Sequence, residues 1–241
     1  MSRAVGRKSL PIRRLRRSEL PVDTTTLARY LIGKTLVHET PRGRMSGRIV
    51  ETEAYLVGDA AAHAFIGKTK RNQAMFLARG HSYVYFIYGN WHAINVSSEE
   101  EGVGAAVLIR ALEPLEGIPL MTRRRKGARE HELCRGPGRL STAMAIDRRL
   151  DGLDLCARGP IWLGTAVRPA RTGRHRRPVR AAPTPAGCRG VGRIGRSVRI
   201  GITKEAHRLL RFYERENPCV SGPRYLSRGS PRSGGPKHMR R

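Results

Sequence analysis

The stretch SYVYFIYGNWHAINV, residues 82–96, carries the clearest local structural signal in this chain. Tyr83–Tyr88 and Trp91–Val96 are rich in aromatic and β-branched side chains, which favour strands. Between them lies Gly89-Asn90, a pair typical of the tight turn of a β-hairpin. The stretch therefore predicts two antiparallel strands joined by an exposed turn.

Outside this hairpin, short predicted strands and helices are interspersed. A helix is expected from Asp23, whose carboxylate can cap the first turn, to Gly33, which ends it. Periodicity and turn residues predict further strands over 34–38, 47–55, 105–112, 197–202 and 210–213, and helices over 72–78, 116–126 and 137–146. This order indicates an α+β fold, a single domain with a mainly antiparallel β-sheet and surrounding helices.

The charge of the chain is strongly positive. Lys and Arg number 47 against 19 Asp and Glu, a formal net charge of +28. Such a chain is expected to bind a polyanion, either nucleic acid or an anionic membrane surface. No run of about 18 apolar residues is present, so no membrane span is predicted. The four cysteines have neither metal-ligand nor redox spacing, which favours free thiols in a reduced cytosolic protein.

Three basic segments are expected outside the folded domain. Residues 1–19 read as an N-terminal arm without the apolar segment of a signal peptide. Residues 167–196 are dominated by Arg, Pro, Gly and Ala, and residues 223–241 read as a basic tail. The insertion and the tail lack a hydrophobic period, so we expect both to be disordered. The folded domain is then expected over 20–222, interrupted by the insertion.

Two acidic residues stand out in the strand IVETEAYL, residues 49–56. Because side chains alternate along a strand, Glu51, Glu53 and Tyr55 share one face, while Val50 and the residues at 52 and 54 are expected to face the core. A solvated strand face and a pocket that holds a general base both fit this pattern. The spacing alone does not distinguish the two acids.

Two single residues are further candidates. His63 lies in the small-residue run AAHAF, residues 61–65, where it could stack on a flat ligand or donate a hydrogen bond. A lone histidine is more often structural. Arg110 lies in the apolar strand VLIRALEP and is costly to bury alone, so it should meet an acid or a phosphate.

The aromatic residues of the hairpin suggest contact with nucleobases. Tyr83 and Tyr85 share a strand face, and Phe86 is interpreted as a core residue. Tyr88 lies beside the turn, where an exposed tyrosine suits a wedge or a stacking platform. Aromatic faces stack on unpaired bases, and surrounding arginines can hold the phosphates.

Several classes of enzyme are disfavoured by missing motifs. The H-x-E and P-C-x-x-C pair of the zinc nucleobase deaminases does not occur. The G-x-x-x-x-G-K-[ST] loop of P-loop NTPases does not occur either. No arrangement of cysteine and histidine suggests a metal.

Seven motifs occur in the order ETEAYL, AAHAF, TKRNQAMF, SYVYFIYGNWHAINVSS, VLIRALEP, ELCRGPGRLSTAMAID and RFYERENPCVSG. With this series the chain closely resembles the alkyladenine (3-methyladenine) DNA glycosylases of the mammalian type, which also occur in bacteria. The resemblance covers about 10–165 and 197–222. The insertion, the basic tail and the high arginine content depart from the family.

The resemblance implies a monofunctional enzyme that needs no metal and no cofactor. Such enzymes flip alkylated or deaminated purines, such as 3-methyladenine, 7-methylguanine, hypoxanthine and ethenoadenine, out of duplex DNA and hydrolyse the N-glycosidic bond. The implied partner is double-stranded DNA with a damaged purine. The enzyme is expected to be a monomer and not to bind a membrane. The implied compartment is the bacterial cytoplasm, at the nucleoid, or the nucleus of a eukaryote.

The resemblance also implies roles for residues of the reaction site. Glu53 matches the general base that activates the water attacking C1′, and Arg110 matches an arginine that supports this water and the acid. Tyr55 and His63 match one side of the stack on the flipped base, and Tyr85 matches the opposite wall.

Further residues match the family's contacts with DNA. Asn95 matches the residue that crowds out the 2-amino group of guanine, and Tyr88 matches the side chain that wedges into the duplex. Arg71, Asn90 and Trp91 are expected near the DNA backbone. At 90 and 91 the family often has other side chains.

Two other classes of function remain open at the level of sequence. One is a non-catalytic, basic protein that binds lesion DNA or RNA on the same scaffold. The other, suggested only by the arginine content, is a structural RNA-binding or ribosome-associated protein.

Overall fold

The computed structural model describes residues 11–87, 89–167, 191–223 and 225. Its strands, in chain order, are β1 (Ile12–Arg14), β2 (Thr35–Thr40), β3 (Gly43–Tyr55), β4 (Ser82–Phe86), β5 (His92–Ser97), β6 (Ala106–Glu116), β7 (Ile161–Ala166), β8 (Ile194–Ser197) and β9 (Arg211–Glu214). Its α-helices are α1 (Thr24–Leu31), α2 (Ile118–Arg124) and α3 (Pro137–Met144). Among these residues no helix is long and apolar enough to cross a bilayer.

All nine strands belong to one sheet, and every pairing between them is antiparallel. The main order is β1-β7-β2-β3-β6-β5-β4, while β9 pairs with β3 and β8 pairs with β9. The predicted α+β class with a mainly antiparallel sheet is therefore confirmed. The long strand β3 is the centre of the sheet, because it pairs with β2, β6 and β9.

The predicted first helix is present. The Asp23 carboxylate accepts a hydrogen bond from the Thr26 backbone N–H at 2.6 Å, as an N-cap does. Leu27 and Leu31 are fully buried in the core, which anchors the helix to the sheet. Gly33 follows with a φ of 84°, a conformation that costs glycine little and ends the helix.

The hairpin predicted at residues 82–96 forms from β4 and β5, with slightly different ends. The register pairs Phe86 with His92, and the Ile87 N–H donates to the Trp91 carbonyl at 2.8 Å. Gly89 has a φ of 69°, which the turn requires. Tyr88 lies outside the described residues.

Some predicted boundaries were wrong. Ile12–Arg14, placed in the basic arm, forms an edge strand on β7. Ile194–Ser197, mostly placed in the insertion, is strand β8. Residues 198–202, predicted as a strand, form a loop, and 72–78 contain only the short 3₁₀ turn Gln73–Phe76. Residues 168–190, the bulk of the predicted insertion, and almost all of the tail lie outside the described residues.

Two opposed β-bulges interrupt the pairing of β3 with β6. The register shifts twice in this stretch, where the pairs are Ile49 with Leu112, Glu51 with Ala111, and Thr52 with Ile109. Val50 on β3 and Arg110 on β6 are the extra residues. Because a bulge breaks the alternation of side chains, Val50 does not share the main core with Ala54. It packs in a separate small cluster, so the predicted shared face of 50, 52 and 54 was wrong.

Candidate functional site

A cavity of about 710 Å³ opens where the carboxyl end of β3 meets the β4–β5 hairpin. Its lining includes many of the candidate residues from the sequence, namely Tyr55, His63, Arg71, Tyr85, Asn95 and Arg110. The loop at 200–202, between β8 and β9, closes another side. Residues far apart in the chain therefore converge on one pocket large enough for a nucleobase.

The Glu53 carboxylate lies directly behind this cavity. Its side chain is fully buried, yet three polar groups surround it. The Tyr55 hydroxyl donates to Oε2 at 3.0 Å, the Ile200 backbone N–H donates to Oε1 at 2.8 Å, and an Arg110 Nη lies 3.2 Å from Oε1. The residues that supply these groups all line the cavity. The carboxylate is thus one layer from the pocket and is not sealed among apolar side chains.

The Glu51 carboxylate is equally buried but is tied into the protein scaffold. It accepts from the guanidinium groups of Arg110 at 3.0 Å and Arg211 at 2.7 Å. The backbone N–H and the hydroxyl of Ser221 donate to it as well, at 2.6 and 3.0 Å. Glu51 thus accepts four hydrogen bonds from three other segments. We infer that its role is structural, because it links β3 to β6 and β9.

The two carboxyl groups have pKa values displaced in opposite directions. Burial raises the pKa of Glu53 above its ordinary value, and Arg110 and the Ile200 N–H offset this only in part. Burial acts on Glu51 too, but Arg110, Arg211 and the Ser221 N–H outweigh it, so the pKa of Glu51 lies below its ordinary value. A raised carboxyl pKa is typical of a group that must accept a proton near neutral pH.

Arg110 meets both acids because of the bulge on β6. The sequence left open whether it pairs with an acid or a phosphate, and the structure shows an ion pair with each glutamate. The guanidinium is buried, with 8% of its side chain exposed. Bulges beside reaction sites commonly redirect a side chain in this way.

Aromatic rings form one wall of the cavity. Tyr83 and Tyr85 stack with ring centroids 5.3 Å apart, as expected for neighbours on one strand face. His63 packs edge-to-face on Tyr85 at 4.5 Å, and its Nδ1 lies 2.9 Å from the Tyr83 hydroxyl. The resemblance grouped His63 with Tyr55 on the opposite wall, whereas here the ring contacts Tyr85. Partial burial and Arg71 lower the pKa of His63, which favours a neutral imidazole.

Asn95 lies on β5 beside these rings. Its Nδ2 donates to the Tyr83 carbonyl at 3.0 Å, and only 4% of the residue is exposed. This bond fixes the amide against the floor of the cavity. The side chain therefore limits the space that a bound base can occupy.

Three further residues of the hairpin are exposed near the mouth of the cavity. Phe86 is 50% exposed and packs edge-to-face on His92, so its interpretation as a core residue was wrong. Trp91 is 55% exposed and packs against Gly138 at the start of α3. Asn90 is exposed in the turn. These side chains are accessible to a large ligand.

The sequence analysis missed two residues of the site and one contact. Tyr83 was noted, but its hydrogen bond to His63 was not. Asp59 and Arg199 form a fully buried ion pair beneath the cavity. Arg199 did not stand out in the sequence, because many arginines surround it. Nothing in the sequence near Asp59 indicates a partner 140 residues away. Among the described residues, no three His, Cys, Asp or Glu side chains are grouped as metal ligands would be.

Comparison with known proteins agrees with this geometry. The family model for methylpurine-DNA glycosylase (MPG) matches residues 18–218. A protein of Mesorhizobium japonicum named "Putative 3-methyladenine DNA glycosylase" is 56% identical over 210 residues, 87% of this chain and 91% of that protein. Proteins of the same name from Paraburkholderia phytofirmans and Methanocella arvoryzae are 47% and 43% identical, over 95% and 82% of this chain and 97% and 90% of their own lengths.

The chain therefore belongs to the methylpurine-DNA glycosylase family. The resemblance seen in the motifs is confirmed, and so is the predicted class of enzyme, a monofunctional DNA glycosylase of DNA repair.

Proposed function

We propose that this enzyme excises alkylated and deaminated purines from double-stranded DNA, with 3-methyladenine, 7-methylguanine, hypoxanthine and ethenoadenine as substrates. The observation that carries the proposal is a buried carboxylate, Glu53, held by groups that line an aromatic cavity of nucleobase size. The names of the relatives support 3-methyladenine as one substrate.

The cavity walls suit an extrahelical purine. Flipping a base costs a few kcal/mol, and less when the base is damaged and pairs badly. Stacking on Tyr55 and Tyr85 returns roughly 1–3 kcal/mol per aromatic contact. His63, with Nδ1 engaged by Tyr83, has Nε2 available for the edge of the base. An alkylated purine is cationic or electron-poor, so it is bound well between electron-rich rings.

Glu53 is the proposed general base. Its carboxylate takes a proton from a water molecule while the water oxygen attacks C1′ of the sugar. The bond from C1′ to the purine nitrogen breaks, and its electron pair leaves with the base. A cationic alkylated purine leaves as a neutral molecule, which makes it a good leaving group. Arg110 contacts the carboxylate and holds it in place, with its own charge balanced by Glu51.

Other residues have proposed roles in recognition. Asn95 crowds the 2-amino group of guanine and so slows the excision of bases that carry it, and Arg71, at the cavity rim, attracts the phosphates. Asn90 and Trp91, both exposed on the hairpin, are proposed to contact the backbone of the duplex. The proposed wedge, Tyr88, follows Ile87 in the sequence and lies outside the described residues. The relatives are bacterial and archaeal, which supports action at the nucleoid, and we propose that the enzyme acts as a monomer.

The test is excision from duplexes that carry one damaged purine each. Purified protein is incubated in excess with the four lesions, and alkali then cuts the strand at each abasic site. Wild type should excise the damaged base from at least one duplex, and Glu53→Gln should lose about 10²–10⁴-fold in excision rate while still binding the duplex. Glu100→Gln, on an exposed loop, serves as the control.

A non-catalytic lesion-binding protein gives the opposite pattern. Wild type would then bind the damaged duplexes without excising a base from any of them, and Glu53→Gln would behave like wild type. Preference for structured RNA over lesion DNA in a competition assay would instead support a structural RNA-binding role.

A further inference from the structure

The ion pair of Asp59 and Arg199 lies beneath the cavity, and both side chains have 0% exposure. The contact is two-pronged, because one guanidinium nitrogen meets Oδ2 and the other meets Oδ1 at 3.1 Å. Such forked pairs fix the relative orientation of both side chains. A buried pair without a function could be replaced by apolar residues at little cost, so its location needs a reason.

This pair joins three segments that each contribute to the cavity wall. Arg199 also donates to the Ala54 carbonyl at 3.1 Å, next to Tyr55 at the end of β3. Asp59 accepts from the Ala61 N–H at 3.0 Å, which orders the loop leading to His63. The third segment is the loop of Arg199 itself, whose next residue is Ile200.

Arg199 controls two contacts of Glu53 through its neighbours. Its guanidinium carbon lies 4.7 Å from the centre of the Tyr55 ring, a cation–π contact that covers one face of the phenol. The hydroxyl of that phenol donates to Glu53, and so does the Ile200 N–H. The buried Arg199 Nε has no hydrogen-bond partner among the described residues, and the Tyr55 ring lies against the same guanidinium group.

We propose that Asp59 and Arg199 are a positioning pair for the reaction, which sets the orientation of the Glu53 carboxylate by holding the Tyr55 ring and the Ile200 N–H. The inference rests on the proposed role of Glu53 as general base. Neither residue of the pair needs to touch DNA, so the pair should govern the chemical step and not the binding of the duplex.

The environment of Glu53 predicts how a change in this pair affects the pH profile. Burial and Glu51 on β3 oppose the ionised form, while Arg110 on β6, the Ile200 N–H and the Tyr55 hydroxyl favour it. Arg211, the cross-strand neighbour on β9, directs its guanidinium to Glu51. Tyr55 and Tyr85 are neutral at pH 7, since burial raises the pKa of each phenol. Loss of the Ile200 N–H would remove a donor that stabilises the carboxylate, so the pKa of Glu53 would rise further.

The experiment compares Arg199→Lys with Arg48→Lys in the full chain. Arg48 is a matched control, because it is also buried against acids, at 2.5 Å from Glu113 and 2.6 Å from Glu214, but does not line the cavity. Single-turnover excision is measured from pH 5 to 9 with enzyme in excess. Binding to a duplex with an abasic site and thermal unfolding are measured in parallel.

In Arg199→Lys we expect the excision rate to fall by up to about a hundredfold, as displacement of a reacting group does. The rise of rate with pH should move to higher pH by about one unit, the scale of one charge-assisted hydrogen bond. Binding to the abasic duplex should be unchanged. Arg48→Lys should lower thermal stability but leave the pH profile of the folded enzyme unchanged.

If Arg199→Lys does not fold, the isosteric Asp59→Asn takes its place with the same expectations. A folded variant whose pH profile coincides with wild type, or whose loss of rate matches Arg48→Lys, overturns the inference alone. Excision by Glu53→Gln at the wild-type rate would instead overturn the proposed function on which the inference rests.

Discussion

Asn95 shows how a single side chain can decide which purines enter the cavity. Its amide is fixed by the bond to the Tyr83 carbonyl, so it cannot swing aside for a larger base edge. Shortening it to Ser or Ala should leave room for a 2-amino group. We expect Asn95→Ser to raise excision of guanine lesions relative to hypoxanthine.

This selectivity is measured as the ratio of single-turnover rates on 7-methylguanine and hypoxanthine duplexes. Ser97→Ala is a suitable control, because Ser97 is buried on the same strand but is not among the residues that line the cavity. An unchanged ratio in Asn95→Ser would refute the role of Asn95 as a gate.

The resemblance to a known family predicted which side chains meet, but not how they are bonded. Tyr55, Tyr85, Asn95 and Arg110 were expected at one site and do line one cavity. The spacing of Glu51 and Glu53 could not separate their roles, because the difference comes from groups that lie far along the chain. Arg110 and Arg211 reach Glu51 across 59 and 160 residues.

At the scale of elements, local signals predicted the fold well where turns are short. The β4–β5 hairpin and the capped helix α1 were both found, since glycine, asparagine and aspartate encode these turns directly. The paired bulges at Val50 and Arg110 could not be predicted from the sequence, because a bulge depends on how two strands pair. The strand expected at 197–202 was misplaced. The apolar residues that suggested it, Ile200 and Ile202, lie in the loop that lines the cavity.

Glu53 belongs to the reaction site, whereas Glu51 stabilises the sheet by linking three strands. In Glu51→Gln the guanidinium groups of Arg110 and Arg211 would remain buried without their shared counter-charge. We expect a loss of about 3 kcal/mol in the free energy of unfolding, measured by urea denaturation. Glu100→Gln, at an exposed ion pair, should show no measurable change.

The pH dependence of this stability has a definite sign. The folded-state pKa of Glu51 lies below its ordinary value of 4.5, so its contribution is complete above that value and declines as pH falls toward the lowered one. The unfolding free energies of wild type and Glu51→Gln should therefore converge in acid. Equal stability of the two proteins at pH 7 would contradict the structural role.

At the scale of the whole molecule, the positive charge exceeds what the site needs. Within the described residues, many arginines pair with acids in the sheet, as Arg48 and Arg110 do. The stretch 168–190, outside those residues, holds seven arginines and no acidic residue, a quarter of the net charge. Its flanks are fixed, because the Val167 N–H bonds to the Pro11 carbonyl and strand β8 begins at Ile194.

We expect this stretch to add sequence-independent affinity for duplex DNA. Each phosphate contacted by a cation adds about 0.9 to the slope of log affinity against log salt. Replacing residues 168–190 by a neutral glycine-serine linker of equal length should make that slope shallower by the equivalent of several phosphate contacts. Single-turnover excision at saturating enzyme should be unchanged, because every residue of the cavity remains.

The control is a linker of the same length that keeps the seven arginines in scrambled order. It should restore the wild-type slope, since counterion release depends on charge and not on sequence. A neutral linker that leaves the slope unchanged would show that these arginines do not reach the phosphates. The surplus charge would then act through the folded domain alone, where the exposed side chains of Arg71 and Arg139 flank the cavity and α3.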